Sequence, residues 1–269
     1  MMRGVNINEQ QMGPFVTVSN ATFDVSNEKV TGNSHLHFSD VTMYGESTLI
    51  LSTTTAAWGS ATVPNQGGTL WGQLNVKTGA NAQLVRASGN PNHFLFSVKG
   101  GAGNVSGTLN VESNAVLNLG LSLFMPPIKT GLGTLVLLND LKLGYANQKT
   151  LTLQEGWLYV NAKANDMNAL AVLNVSNGAG LDLSDEGACF GTAEAASALA
   201  PDVGARVFLK VGERELAKGE YLVRWKADST APNCTFALEK TGDANRRYRL
   251  QKVADGVIVA TRSFAILLR

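Results

Sequence analysis

Leu74-Asn75-Val76-Lys77-Thr78-Gly79-Ala80-Asn81-Ala82-Gln83-Leu84 recurs in this chain as Leu109-Asn110-Val111-Glu112-Ser113-Asn114-Ala115-Val116-Leu117-Asn118-Leu119, and again as Leu173-Asn174-Val175-Ser176-Asn177-Gly178-Ala179-Gly180-Leu181-Asp182-Leu183. In each copy apolar side chains fall at alternate positions, a Gly/Asn/Ala bend interrupts them, and the alternation resumes. This pattern predicts a strand, a turn and a second strand that share one inward face. Asn and Gly tolerate the left-handed conformation of a tight turn, so the bend falls where the chain can make it.

Weaker versions surround these three. Val16-Thr17-Val18 leads to Phe23 and Val25, Leu36-His37-Phe38 to Val41 and Met43, Leu135-Val136-Leu137 to Leu141 and Leu143, and Leu151-Thr152-Leu153 to Trp157, Leu158 and Val160. The first two clear copies start 35 residues apart and the next two 64 apart. A propeller needs blades of near-constant length, whereas a solenoid coil tolerates loops of any size on one side. Helical spacing of apolar residues is nearly absent before residue 187, and β-branched residues abound. The expected fold is therefore all-β, a parallel β-helix of degenerate coils, with an antiparallel sandwich as the runner-up. Stacked coils would bury each inward Leu, Val, Ile or Phe for about 2 kcal/mol, and no coil would be stable alone. On this register Leu109→Asp or Val111→Asp should disrupt neighbouring coils, and Glu112→Ala, at a turn, should be nearly silent.

Composition changes near Glu186. The shorter stretch after it carries more charged residues than the longer one before, and only Asn233 and Asn245 of the many asparagines follow it. Residues 1–186 are read as the β-helix region, and 187–269 as an Ala-rich junction and an antiparallel β-rich cap. The formal charge of +1 offers no field for nucleic acid or an anionic membrane surface. No apolar run approaches the roughly 20 residues of a membrane-spanning helix, and Met1 to Gln11 does not read as an export signal. Because repeat-like sequence begins at Val5, further coils are expected upstream of Met1. Cys189 and Cys234 permit a disulfide without requiring it; no CxxC or zinc-ligand spacing is present.

Lys129-Thr130-Gly131-Leu132-Gly133-Thr134-Leu135-Val136-Leu137, followed by Gly156-Trp157-Leu158-Tyr159-Val160, resembles the autotransporter-associated β-strand repeat of bacterial surface passengers. That repeat typically reads Lys-x-Gly-x-Gly-Thr-Leu-x-Leu, a loop, then Gly-x-Leu-x-Val. The residues carrying the likeness are Lys129, Gly131, Gly133, Thr134, Leu135, Leu137, Gly156, Leu158 and Val160. Lys99-Gly100-Gly101-Ala102-Gly103 through Gly107-Thr108-Leu109 looks like a worn copy, and Gln148-Lys149-Thr150 departs from the family by lacking its loop glycine. The resemblance implies a parallel β-helix at or outside the cell envelope, often a stalk, usually without a catalytic site. A self-transporting member would end in a membrane β-barrel; Ala265-Ile266-Leu267-Leu268-Arg269 does not read as one, so export by another route is expected.

Beyond residue 187, Thr192-Ala193-Glu194-Ala195-Ala196-Ser197-Ala198-Leu199-Ala200 reads as a short helix or an irregular link stopped by Pro201. Alternating runs at Val207–Val211, Tyr221–Trp225, Phe236–Leu238, Tyr248–Val253 and Val257–Thr261 read as one antiparallel sheet, with a hairpin turn at Asp255-Gly256. This sheet would cover the open end of the coils or serve as a separate module.

Chemistry-bearing residues are scattered. His35 and His37 alternate onto one strand face near Asp40, a possible metal or acid/base trio, though exposed strand residues are the plainer reading. His93 reads as a loop residue. Asp185-Glu186 reads as a solvated turn rather than the paired carboxylates of a glycosidase. Lys99–Gly103 lacks the P-loop spacing. Arg246, Arg247 and Arg249 with Tyr248 read as a solvated strand, and Trp58 and Trp71 as a conceivable sugar platform, with Trp157 and Trp225 far along the chain. The expected function is a non-enzymatic surface-display β-helix, an extracellular stalk or adhesin fragment without cofactor, whose partners would be cell-envelope components or glycans. The alternative is a carbohydrate-binding or polysaccharide-degrading β-helix.

Overall fold

The computed structural model describes residues 10–11, 15–24, 36–38, 40–51, 68–70, 73–86, 95–96, 107–121, 123, 126–138, 149–160, 170–196, 198–239 and 248–261. The described chain is all-β, with no helix among those residues. It forms two compact units, residues 1–157 and 158–269. The compositional change at Glu186 falls inside the second. In the first unit the strands are β1 (Gln10–Gln11), β2 (Phe15–Ser19), β3 (Thr22–Asp24), β4 (Leu36–Phe38), β5 (Asp40–Tyr44), β6 (Glu46–Leu51), β7 (Gly68–Leu70), β8 (Gln73–Val76), β9 (Asn81–Arg86), β10 (Leu95–Phe96), β11 (Thr108–Val111), β12 (Val116–Gly120), β13 (Ile128–Thr130), β14 (Thr134–Leu137) and β15 (Thr150–Leu153). β16 (Trp157–Tyr159) straddles the boundary. The second unit continues with β17 (Val172–Val175), β18 (Gly180–Asp182), β19 (Leu199–Pro201), β20 (Arg206–Lys210), β21 (Tyr221–Arg224), β22 (Thr235–Leu238), β23 (Tyr248–Val253) and β24 (Gly256–Thr261).

In the first unit the chain visits three sheets in a fixed order through β12, and from β13 its described strands alternate between the second and the third. One sheet runs β1-β4-β7-β10, a second β2-β5-β8-β11-β13-β15, and a third β3-β6-β9-β12-β14. Pairing is parallel throughout. The repeated tripeptides lie directly over one another: Leu74 pairs with Leu109, Asn75 with Asn110 and Val76 with Val111. Alternation turns Leu and Val inward, where all four are fully buried. It turns the asparagines outward, where Asn110 Nδ2 donates to Asn75 Oδ1 at 3.1 Å. A second inward column, Val18, Met43, Val76 and Val111, continues the stack, with no member more than 4% exposed.

The turns explain why the pattern carries Gly or Asn at one place. The sixth residue of each copy sits in the left-handed region: Gly79 at φ 73, Asn114 at φ 57 and Gly178 at φ 91. Each turn then closes in the same way, with Ala80 N donating to Lys77 O, Ala115 N to Glu112 O and Ala179 N to Ser176 O. The alanine that follows is buried each time, so a larger side chain there would collide with the core.

Leu135-Val136-Leu137 is not the first arm of a repeat, as its tripeptide form suggests. It is β14, a second arm, with Leu135 over Leu117 and Leu137 over Leu119. The first arm is β13, whose inward residue is Lys129. Leu36–Phe38 likewise stands apart as β4, in a different sheet from β5.

In the second unit β17 pairs in parallel with β19, and β18 with β20 and β20 with β22. Two of the five runs expected in an antiparallel sheet, Val207–Val211 and Phe236–Leu238, therefore belong to a parallel one. The cause is a fourth repeat disguised in Leu199-Ala200-Pro201-Asp202-Val203-Gly204-Ala205. It places Leu199 over Leu173, Gly204 at φ 74, and Ala205 N on Asp202 O, as in the three plain copies. Among the described residues of 192–200 no helix forms: a segment this short gains too few hydrogen bonds to offset nucleation, and strand pairing by Leu199–Pro201 wins. The antiparallel part is β21-β24-β23. Its hairpin turn is Ala254-Asp255, one residue earlier than expected, with Gly256 already paired to Val253. Trp225 is fully buried beside it, its Nε1 donating to Ala254 O at 2.9 Å and its backbone N to Asp255 O at 3.0 Å.

Candidate functional site: a buried lysine between successive turns

Four of the residues that carry the resemblance, Lys129, Gly131, Gly133 and Gly156, meet at one place. β13 pairs with β11 and β15 so that the inward column reads Val41, Leu74, Leu109, Lys129 and Leu153. Strand alternation thus drives a lysine into a position that its neighbours fill with aliphatic side chains, and Lys129 is fully buried. Its stem can pack like theirs, but the amine must find acceptors.

It finds them in two successive turns. Lys129 Nζ donates to Gly131 O and, at 2.9 Å, to Glu155 O. Glu155 reciprocates: its Oε2 accepts from Gly131 N at 2.9 Å. The glycines are what let the two turns come this close. A Cβ on Gly156, which sits at φ 70, would strike Gly131 O, Gly133 O and Lys129 Nζ together. A Cβ on Gly133 would strike Glu112 O and Ala115 O. Burial pushes the Lys129 ammonium down to about 7, against the opposing pull of the Glu155 carboxylate. Thr134, half-buried, donates its backbone N to Ala115 O at 2.9 Å. Leu135 is fully buried and Leu137 half-buried; in the second unit Leu158 and Val160 are buried, with Val160 N on Asp182 O at 2.9 Å.

Among the described residues, the others singled out in the sequence do not assemble. His37 lies on β4, and Asp40, on β5, spends a carboxylate oxygen on Gln73 N at 2.8 Å. His35, His93, Lys99–Gly103, Arg246, Arg247, Trp58 and Trp71 lie outside the described residues. Arg249 is exposed and Tyr248 half-buried on opposite faces of β23, and Trp157 is half-buried on β16. Cys189 and Cys234 are free thiols, both half-buried, and burial pushes Cys189 up to about 11. Among the described residues, no group of three or more His, Cys, Asp or Glu is placed to hold a metal.

Sequence reasoning missed two polar clusters. Glu112 reaches back from its turn to the previous one, its Oε1 2.6 Å from Lys77 Nζ and its Oε2 accepting from Thr78 N at 3.1 Å and Thr78 Oγ1 at 3.0 Å. The Lys77 hydrogen bond holds its carboxyl below the ordinary range. Glu112 is therefore a clamp rather than a silent turn residue, and Glu155 plays the same part for Gly131 N. In the second unit Asp182, nearly buried, accepts from Lys210 Nζ at 2.9 Å and from Ser184 N at 3.2 Å, a pairing set by the cross-strand register of β18 and β20. Burial and the nearby Asp185 push Tyr159 up to about 12. With the lysine and serine on it, the Asp182 carboxylate is committed to holding strands together. No protein family, curated protein or solved structure is similar enough to match this chain.

Proposed function

We propose that this chain is a structural, non-enzymatic β-solenoid, right-handed, displayed at or outside a bacterial cell envelope and meeting envelope components or glycans. The observation that carries the reading is the row-by-row parallel pairing of successive strands with like residues in register, Leu74 over Leu109 and Asn75 over Asn110. Such stacking lets every turn add a row to one core and leaves the outer surface free to vary. The resemblance of residues 129–137 and 156–160 to the autotransporter-associated repeat supports a passenger-like stalk. The polar groups with strong neighbours, Lys129, Glu112 and Asp182, are consumed in joining turns and strands, which supports a role without chemistry. An antibody raised against the purified chain should label intact cells of the source organism, and the chain should release no reducing sugar from plant or mucin polysaccharides. Labelling only after permeabilisation contradicts the display reading, and sugar release contradicts the non-enzymatic one.

A further inference from the structure

Lys129 raises a question that packing alone does not answer: a leucine would fill its place in the column as Leu109 and Leu153 do above and below it. We propose that Lys129 is a proton-sensitive latch, its amine joining the turn at Gly131–Gly133 to the turn at Glu155–Gly156 and proton uptake by that amine weakening the join. A neutral amine has two N–H groups, and Lys129 Nζ makes two hydrogen bonds, to Gly131 O and Glu155 O. Protonation adds a charge and a third N–H, and among the described residues no further hydrogen bond is made to receive it. Bulk solvent does not reach the side chain, because Lys129 is fully buried and glycine is needed at 156 for the turns to close around the amine at all. Desolvated charge is costly even when partly compensated.

Among the described residues, the surroundings contain one opposing group. Glu155, on the turn after β15, faces the amine and favours its charged form. From β11 the column neighbour is Leu109, and from β15 it is Leu153; neither titrates. The Glu112 side chain is turned away to Lys77 and Thr78. Burial is the larger influence, so the folded chain releases this proton near pH 7 while the unfolded chain holds it to about 10.5. Across that window the unfolded state binds more protons, and stability rises with pH.

The test compares urea unfolding of the full chain and of Lys129→Met from pH 6 to 9.5. The methionine keeps an unbranched stem in the column but cannot titrate, and all other ionisable groups, the histidines included, are common to both proteins. The ratio of their unfolding constants should shift in favour of the wild type as pH rises above 7, approaching about tenfold per pH unit. In lysine-labelled full chain, the Lys129 side-chain resonance should titrate near pH 7, well below surface lysines at about 10.4, and Glu155→Gln should lower it further. Parallel pH curves for the two proteins, or a Lys129 resonance titrating with the surface lysines, overturns the proposal. If Lys129→Met does not fold, the resonance alone decides it.

Discussion

Gly156 and Gly178 are both left-handed, at φ 70 and φ 91, yet they answer to different constraints. Around Gly178 an added Cβ would meet nothing within 4 Å, whereas at Gly156 it would meet two carbonyl oxygens and the Lys129 amine. Gly178→Ala should therefore cost only the backbone penalty of about 1–2 kcal/mol. Gly156→Ala should cost that and a further 1–3 kcal/mol, roughly, for overpacking. Equal losses in urea unfolding would mean that the two turns do not close on Lys129. The importance of these residues was legible as a motif, Lys129 with Gly131, Gly133 and Gly156, but its cause was not. From the spacing alone Lys129 could equally have pointed to solvent, because inward direction is set by pairing with Leu109 and Leu153, residues that lie 20 and 24 positions away in sequence.

Strands and turns were the most readable scale. A residue that must be left-handed, followed by an alanine that must be small, is a local demand, and it shows locally in Gly79-Ala80, Asn114-Ala115 and Gly178-Ala179. The same demand in Gly204-Ala205 escaped notice because Pro201 and the surrounding alanines resemble a helix with a stop. Proline is tolerated there because β19 is paired with β17 through Leu173, Asn174 and Val175 at the end of its sheet. A scan for apolar residues eight and ten positions after a leading leucine would have found Val207 and Leu209 after Leu199. At this scale Leu109→Asp puts a carboxylate into a fully buried column and should cost on the order of 4 kcal/mol. Glu112→Ala removes the clamp on Lys77 and Thr78 at a partly exposed surface, and its loss should be measurable but much smaller. Thermal denaturation of both variants checks the ranking; equal losses would contradict the inward register of β11.

For the whole chain, composition alone separated an Asn-rich, charge-poor part from a charged one, but it did not reveal strand direction. Parallel and antiparallel strands share the same alternation, so Val207–Val211 and Tyr221–Trp225 look alike although the first pairs in parallel and the second antiparallel. One consequence is that a fragment starting at residue 200 would separate β20 from its partner β18, and so would not report on the antiparallel sheet alone. Parallel, in-register pairing of the repeats builds the core, and a cross-link measures that pairing directly. Asn75→Cys with Asn110→Cys, in a chain whose Cys189 and Cys234 are replaced by serine, places two outward thiols on paired residues, within the roughly 4.4–6.8 Å Cα separation that a disulfide accepts. Mild oxidation of the folded protein should form this bond readily and raise its melting temperature. Failure to form it, with ready formation in Asn75→Cys/Val116→Cys instead, would contradict the stacking on which the account depends.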